Sequence, residues 1–149
     1  MSDAQLASFL DEERTVICAT LGQDGFPHLM PLWYLMRDTE LWAWTFAKSQ
    51  KVRNLERAPL ATLQVEAGSE YSELRGAMLK CDVTLHRDTE RVAAFGAALF
   101  ERYRGVDPGA LDDETLAMIE RQAPKRVVLQ FAPRTTVTWD HRKLAAGVY

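Results

Sequence analysis

Between Thr15 and Phe46, three apolar and aromatic runs are separated by two short polar turns, Gln23-Asp24-Gly25 and Arg37-Asp38-Thr39. Turns this short force antiparallel neighbours, because a parallel pair needs a crossover of a dozen or more residues. The runs predict strands over Thr15–Leu21, Pro27–Met36 and Glu40–Phe46. Gly25 can take the positive φ that the first turn requires. Along the second strand, Leu29, Pro31, Trp33 and Leu35 fall on one face, and Met30, Leu32, Tyr34 and Met36 on the other. Both faces are apolar, which predicts a strand covered on both sides. Pro31 has no N–H and so breaks the ladder or marks a bulge. Such a bulge is either structural or a place where a flat ligand enters.

The rest of the chain continues in the same style. Leu60–Glu66 reads as a strand, and Gly68-Ser69-Glu70 as a turn. Tyr71–Leu85 is a long alternating run with a bulge or bend expected at Arg75-Gly76. Arg126–Phe131 is continuously apolar, and Arg134–Trp139 is placed to pair after a break at Pro133. Helical spacing appears in Ser2–Glu13 (Leu6, Phe9, Leu10), in Asp88–Arg104 (Val92, Phe95, Leu99, Tyr103), and in Asp112–Arg121 with Leu116 and Ile119 inward. Six or so antiparallel strands without βαβ alternation predict a mostly β protein, a small closed β-barrel flanked by helices. No linker or repeat divides the chain, so one domain over residues 1–149 is expected.

Formal net charge is −3, which sets a general nucleic-acid binder aside. No apolar run reaches membrane-spanning length and no signal peptide precedes the first helix, so a cytoplasmic protein without membrane contact is expected. Cys18 and Cys81 lie in apolar strand-like runs and read as buried thiols rather than a disulfide. The apolar content on both faces of Met30–Met36 and Leu41–Phe46 exceeds what one small barrel hides, which predicts a homodimer.

Against the acidic background, one segment is basic. Leu41-Trp42-Ala43-Trp44 is strand-like, but from Ser49 the period changes: Val52 and Leu55 are three apart and Pro59 sets a stop. Ser49 suits the N-cap of this helix. Lys48, Lys51, Arg53 and Arg57 flank its start, where unpaired N–H groups and a partial positive charge accumulate. Lys48, Ser49 and Lys51 thus compose a site for a phosphate or another anion. The same residues also fit a solvated basic turn, with Arg53 and Arg57 facing water beside Glu56.

Motifs for other chemistries are missing. The sequence has no H-E-x-x-H, no C-x-x-C, no G-x-S-x-G, no P-loop and no dinucleotide glycine turn. His28, His86 and His141 are scattered, so no metal site is expected. What remains is an anion site beside an aromatic strand, which suits a flat heterocycle carrying a phosphate; the cofactor then brings the chemistry and the protein binds and orients it.

The segment Thr45–Lys51 resembles the phosphate-binding segment of the pyridoxamine 5'-phosphate oxidase-like split β-barrel proteins. The block Ala47-Lys48-Ser49-Gln50-Lys51, with Asn54-Leu55, Arg57 and Pro59, is similar to the flavin/deazaflavin oxidoreductases of the coenzyme F420-dependent branch. Ala19-Thr20-Leu21, Asp24-Gly25, Pro27-His28 and Trp33-Tyr34 match as well, and the resemblance runs through Glu101-Arg102-Tyr103 to Trp139–Leu144. It implies an FMN-binding split barrel, a homodimer with two cofactor sites at its interface, and an F420H2-dependent reductase acting on a small organic molecule. FMN is the alternative cofactor, and a non-catalytic flavin or haem carrier is the alternative function. By the family pattern, Lys48, Ser49 and Lys51 hold the phosphate with Asn54 nearby. Met30, Pro31 and Leu32 lie beside the ring system, with Trp44 and Thr45 on the next strand. Trp139 and Arg142 come from the partner subunit. No catalytic side chain is implied; a proton comes from water, Tyr34 or His28. Met30–Leu35 carries no basic residue, which departs from the oxidase itself and argues against pyridoxamine phosphate oxidation. Four cations at Lys48, Lys51, Arg53 and Arg57 exceed what one phosphate needs, which favours the deazaflavin, whose tail adds carboxylates.

Overall fold

In a computed structural model of the protein, residues 1–144 are described; the last five residues of the expected domain, 145–149, lie outside them. The chain forms helix α1 (Asp3–Glu12), strands β1 (Val16–Leu21), β2 (Pro27–Leu32), β3 (Leu35–Arg37) and β4 (Glu40–Phe46), helix α2 (Gln50–Arg57), strands β5 (Leu60–Ala67) and β6 (Arg75–His86), helices α3 (Thr89–Arg104) and α4 (Asp113–Gln122), and strand β7 (Arg126–Asp140). The strands make one seven-stranded sheet in the order β2-β1-β5-β6-β7-β4-β3, and every recorded pairing is antiparallel.

The sheet's two outer strands, β2 and β3, are separated in the chain only by Trp33 and Tyr34. Three Cα steps reach at most about 11 Å. The sheet must therefore curl until its edges nearly meet, and this closure makes the barrel. It also explains why Pro27–Met36 is not the single strand expected: the chain changes edge at Trp33-Tyr34. Helix α3 fastens the crossing. Trp33 stacks on Tyr103 at 4.3 Å, and the Tyr34 N–H donates to Tyr103 Oη at 2.9 Å. The Tyr34 ring is fully buried and its hydroxyl donates to the Leu10 carbonyl at 2.6 Å, which ties α1 to the closure.

Alternation places Val16, Cys18, Leu41, Ala43, Leu63, Val65, Leu79, Leu129 and Phe131 inside the barrel, with Phe9 and Leu10 of α1 and Val52 and Leu55 of α2 joining the same core. A second cluster lies between α3 and the sheet: Val92, Phe95 and Leu99 pack with Ala123 and Val128, and with Trp42 and Trp44. Asp88 caps α3, Asp112 caps α4, and Gly105 ends α3 in the left-handed region at φ 67°. In α4, Ile119 is buried as expected, but Leu116 is 37% exposed and Thr115 takes the inner position.

Three local expectations are corrected. Strand β6 runs unbroken from Arg75, and the ladder irregularity lies instead at Lys80/Cys81, opposite Pro133. Strand β7 passes through Pro133 without ending, because that shift absorbs the missing N–H. The outward face of β2 is not covered in the single chain: Leu29 is 55% exposed. Register extends this open face across five strands, with Pro31, Ile17, Gln64, Met78 and Val137 in one row.

Candidate functional site

The site is built where β4 ends and α2 begins. Phe46 is the last residue of β4, Ser49 is the N-cap residue of α2, and the turn between them is pinned when the Ala47 N–H donates to the Lys125 carbonyl at 2.9 Å. This bond holds the start of β7 against the same turn.

Ser49 stands at the N-cap position but its side chain makes no cap bond, and its Oγ is buried without a partner. The expected capping is thus corrected: the hydroxyl is held in reserve rather than spent on the helix. Lys51 is only 6% exposed. Its single side-chain hydrogen bond runs to Thr45 Oγ1 at 3.0 Å, which leaves further ammonium donors unused. Burial pushes the Lys51 pKa down, and the charge of Arg126 acts in the same direction. Among the described residues no carboxylate pairs with Lys48, Lys51 or Arg126. A buried cation without a counter-ion is costly, so the fold keeps a charge here that an anionic ligand would neutralise.

The other expected residues divide. Thr45 points inward and receives the Lys51 ammonium. Asn54 is fully buried, accepts from Gln50 at 2.9 Å and donates to Thr20 Oγ1 at 3.1 Å. The Thr20 hydroxyl in turn reaches the His28 carbonyl at 3.5 Å, so Asn54 ties α2 to β1 and β2. Lys48 is exposed at the mouth, while Met30 and Pro31 are exposed and Leu32 buried on the neighbouring edge strand. Trp44 faces away from Lys51 and Thr45, toward α3, with Phe100 edge-on at 6.1 Å and the Arg126 guanidinium over its ring at 4.9 Å. It is the floor under Arg126. Arg57 is spent on the Leu21 carbonyl, and Glu56 pairs with Arg87.

Trp139 and Arg142 are not brought to this pole within one chain. Arg126 sits opposite Phe46, and Trp139 lies thirteen residues further along β7, a path of roughly 40 Å along an extended strand. Trp139 instead packs on Gly76, and Arg142 is held by Asp140 of its own chain through two bonds of 2.8 Å. Tyr34 is ruled out as a proton source, because its buried hydroxyl is committed to Leu10 and burial raises its pKa. Arg126, which sequence reasoning does not single out, opens β7 next to this turn, on the Trp44 side of the sheet. The Lys125-Arg126 pair is visible in the sequence, but nothing in its spacing says which strand end it will face.

A curled seven-stranded antiparallel sheet with flanking helices, and a cluster of basic residues at one helix start, defines a split-barrel protein. The chain belongs to the pyridoxamine 5'-phosphate oxidase family, whose pattern it matches over residues 2–140. It is similar to a conserved hypothetical protein from Mycobacterium tuberculosis, at 38% identity and TM-score 0.85, with 95% of this chain and 86% of that chain covered. It shares its fold with an F420 reductase (22% identity, TM-score 0.67, 87% of this chain and 94% of that one). A haem storage protein from Vibrio cholerae has the same fold (15% identity, TM-score 0.68, 93% of each chain). The comparison with curated proteins returns no match. Among the described residues, no helix is long and apolar enough to cross a membrane, and no group of three or more His, Cys, Asp or Glu is placed to hold a metal ion.

Proposed function

We propose that this protein is a cytoplasmic homodimeric oxidoreductase that binds coenzyme F420 at the basic pole and transfers a hydride between the deazaflavin and a small organic molecule. The observation that carries this reading is the buried, unpaired Lys51 beside the unpartnered Ser49 hydroxyl. These groups fit a phosphate, and the exposed Lys48, with Arg53 beside it, suits further anionic groups. The deazaflavin supplies the hydride chemistry when bound. The chain's own work is then to bind and orient: Lys48, Ser49 and Lys51 hold the phosphate, Asn54 fixes the helix to the strands beneath it, and Met30, Pro31 and Leu32 offer an edge for the ring. Family membership and the fold shared with an F420 reductase support the cofactor assignment.

The open apolar face supports the dimer. A row crossing five strands, exposed except at the half-buried Met78, is more than a monomer normally shows water, and a second copy would cover it. The same assembly would bring the partner's β7 end, with its tryptophan and arginine, toward a site that one chain leaves open. Light scattering showing a stable monomer at micromolar concentration would refute the dimer.

The decisive experiment is titration of Lys48→Ala and Lys51→Met with F420 and with FMN, followed by fluorescence quenching beside thermal melts. Methionine is chosen at position 51 because the side chain is buried and its volume must be kept. Removing either ammonium deletes a charge-assisted hydrogen bond to the ligand, which should cost about 1.5–3 kcal/mol, roughly ten- to a hundredfold in affinity. High salt should mimic the Lys48 change. If both variants bind F420 and FMN as the parent does, the pole is a solvated basic turn and the reading fails. Tight FMN binding without F420 binding would favour a flavin protein of the same fold, and a Soret band on reconstitution a haem protein.

A further inference from the structure

We propose that the end of the barrel away from α2 holds a second binding site, a cavity beneath α1 that takes a small organic cation with an apolar body. It does not depend on the reading of the basic pole. Thr39 precedes β4 and Ala47 follows it, so the two places lie at opposite ends of a seven-residue strand, roughly 20 Å long.

Register opens the cavity. Strand β4 pairs with β7 from Arg126 to Phe131, and β7 then runs on to Asp140 with β6 as its one recorded neighbour. Thr136 stands opposite Leu79 and Thr138 opposite Ala77. Directly opposed residues share a face, so both threonines point the same way as two buried core residues. Thr136 is nevertheless exposed. A side chain that faces the interior and still meets water marks a barrel left open at this end. Helix α1 lies over the opening without filling it, and a cavity of about 430 Å³ remains between α1, the β3–β4 turn and β7. Small-molecule pockets span about 300–1,000 Å³.

The walls set the ligand's chemistry. Leu6 and Leu10 of α1, Met36 of β3 and Leu79 of β6 give the cavity an apolar lining. Two carboxylates reach it from separate elements, Asp3 from the start of α1 and Asp38 from the β3–β4 turn. Among the described residues neither is in an ion pair. The one cation among the lining residues is the Met1 amino group, which donates to Thr138 Oγ1 at 2.8 Å. Two negative charges against one positive leave an excess of one, which a monocation cancels and a carboxylate or phosphate would worsen. The Thr39 and Thr136 hydroxyls also line the cavity and can accept from the N–H groups of an amine.

The test uses three probes with one six-carbon chain and different heads: hexylamine, hexanol and hexanoate. Each is titrated into the full chain at neutral pH, and dissociation constants are taken from the methyl NMR signals of Leu10, Met36 and Leu79. Hexylamine should bind tightest and hexanoate weakest, with these methyls shifting most. Asp3→Asn and Asp38→Asn should each lower hexylamine affinity about two- to fivefold, as for an exposed charge pair, and leave hexanol unchanged. Asparagine suits position 38, where φ is 54°. Thr136→Leu fills the cavity and should abolish binding of all three probes, with a melting curve to check the fold; the aspartate variants decide the matter if it does not fold. Equal affinity for the three probes, or hexylamine binding unaltered in both aspartate variants, overturns the cation assignment and the proposal with it. No binding by the parent, no shift at these methyls, or binding that survives in a folded Thr136→Leu protein overturns the site itself.

Discussion

Adding one methyl group at Gly76 should both unfold the protein more easily and disturb the far end of β7. A Cβ built there falls 2.2 Å from Trp139 Cζ2, 2.5 Å from Trp139 Cε2 and 2.8 Å from the Val65 carbonyl oxygen. No side chain accepts such distances, so the indole must move, and the rigid carbonyl of β5 prevents the methyl from swinging the other way. Gly76 is not among the positive-φ glycines, so the cost comes from packing and not from backbone conformation. Overpacking of this kind costs about 1–3 kcal/mol. At about 2–4 °C per kcal/mol for a chain of this size, the melting temperature of Gly76→Ala should fall by about 2–12 °C. A double-mutant cycle sharpens the test. In a Trp139→Ala background the two indole clashes vanish and only the carbonyl clash remains, so Gly76→Ala should cost less there than in the parent, by about 0.5–3 kcal/mol, the coupling expected of touching residues. The assay is thermal unfolding of the four proteins followed by circular dichroism. If Gly76→Ala melts with the parent, or costs the same with and without Trp139, the indole clash is not what glycine avoids here. F420 titration of the same set then reports whether displacing Trp139 weakens binding, as a cofactor contact would require.

Other outcomes follow from particular groups. Ser49→Ala should leave the melting temperature nearly unchanged, within about 0.5 kcal/mol, because its side chain caps nothing; its F420 affinity should fall, and a stability loss without an affinity loss would contradict the site. Asp140 is held at a pKa of about 2, chiefly by its hydrogen bonds from Arg142. That lies below the ordinary value of about 3.9, so its stabilisation is full above about pH 4 and disappears as the pH falls toward 2. Arg142→Ala should therefore melt below the parent at neutral pH and converge with it near pH 2, and a constant difference across that window would refute the pairing. The Cys18 and Cys81 thiols are buried and pushed up to about 12, so the folded protein should resist a thiol reagent at pH 8 and react only on unfolding.

The strands were legible where local chemistry decides them. Glu40–Phe46 alternates large aromatics with small or apolar residues and is found with the bounds expected; Asp88 and Gly105 bracket α3 as cap and stop. What the sequence concealed was closure. Pro27–Met36 keeps its alternation across Trp33-Tyr34, so period alone cannot show that the chain leaves one sheet edge and joins the other. Pro133 misled for the opposite reason: a missing N–H predicts a break, but a register shift beside it, which leaves Arg134 out of the ladder, lets the strand continue. Gly76 resembled a bend because glycine often marks one; here it makes room for an indole sixty-three residues away.

The anion pole shows the same division. Lys48, Ser49 and Lys51 are three or fewer positions apart, so a strand ending in a helix start brings them together in any fold, and local reasoning suffices. Which of them is buried is decided elsewhere. Lys51 is drawn to Thr45 because α2 covers the open end of the barrel, and that turns a residue expected on the surface into an interior cation. Trp44, whose aromatic character fits equally well a contact with a cofactor ring, instead turns toward α3 and takes up Arg126, brought beside it by the pairing of β4 with β7. The local half of the site suggests that an anion binds; the long-range half decides that Lys51 meets it as a buried cation with no acid beside it among the described residues.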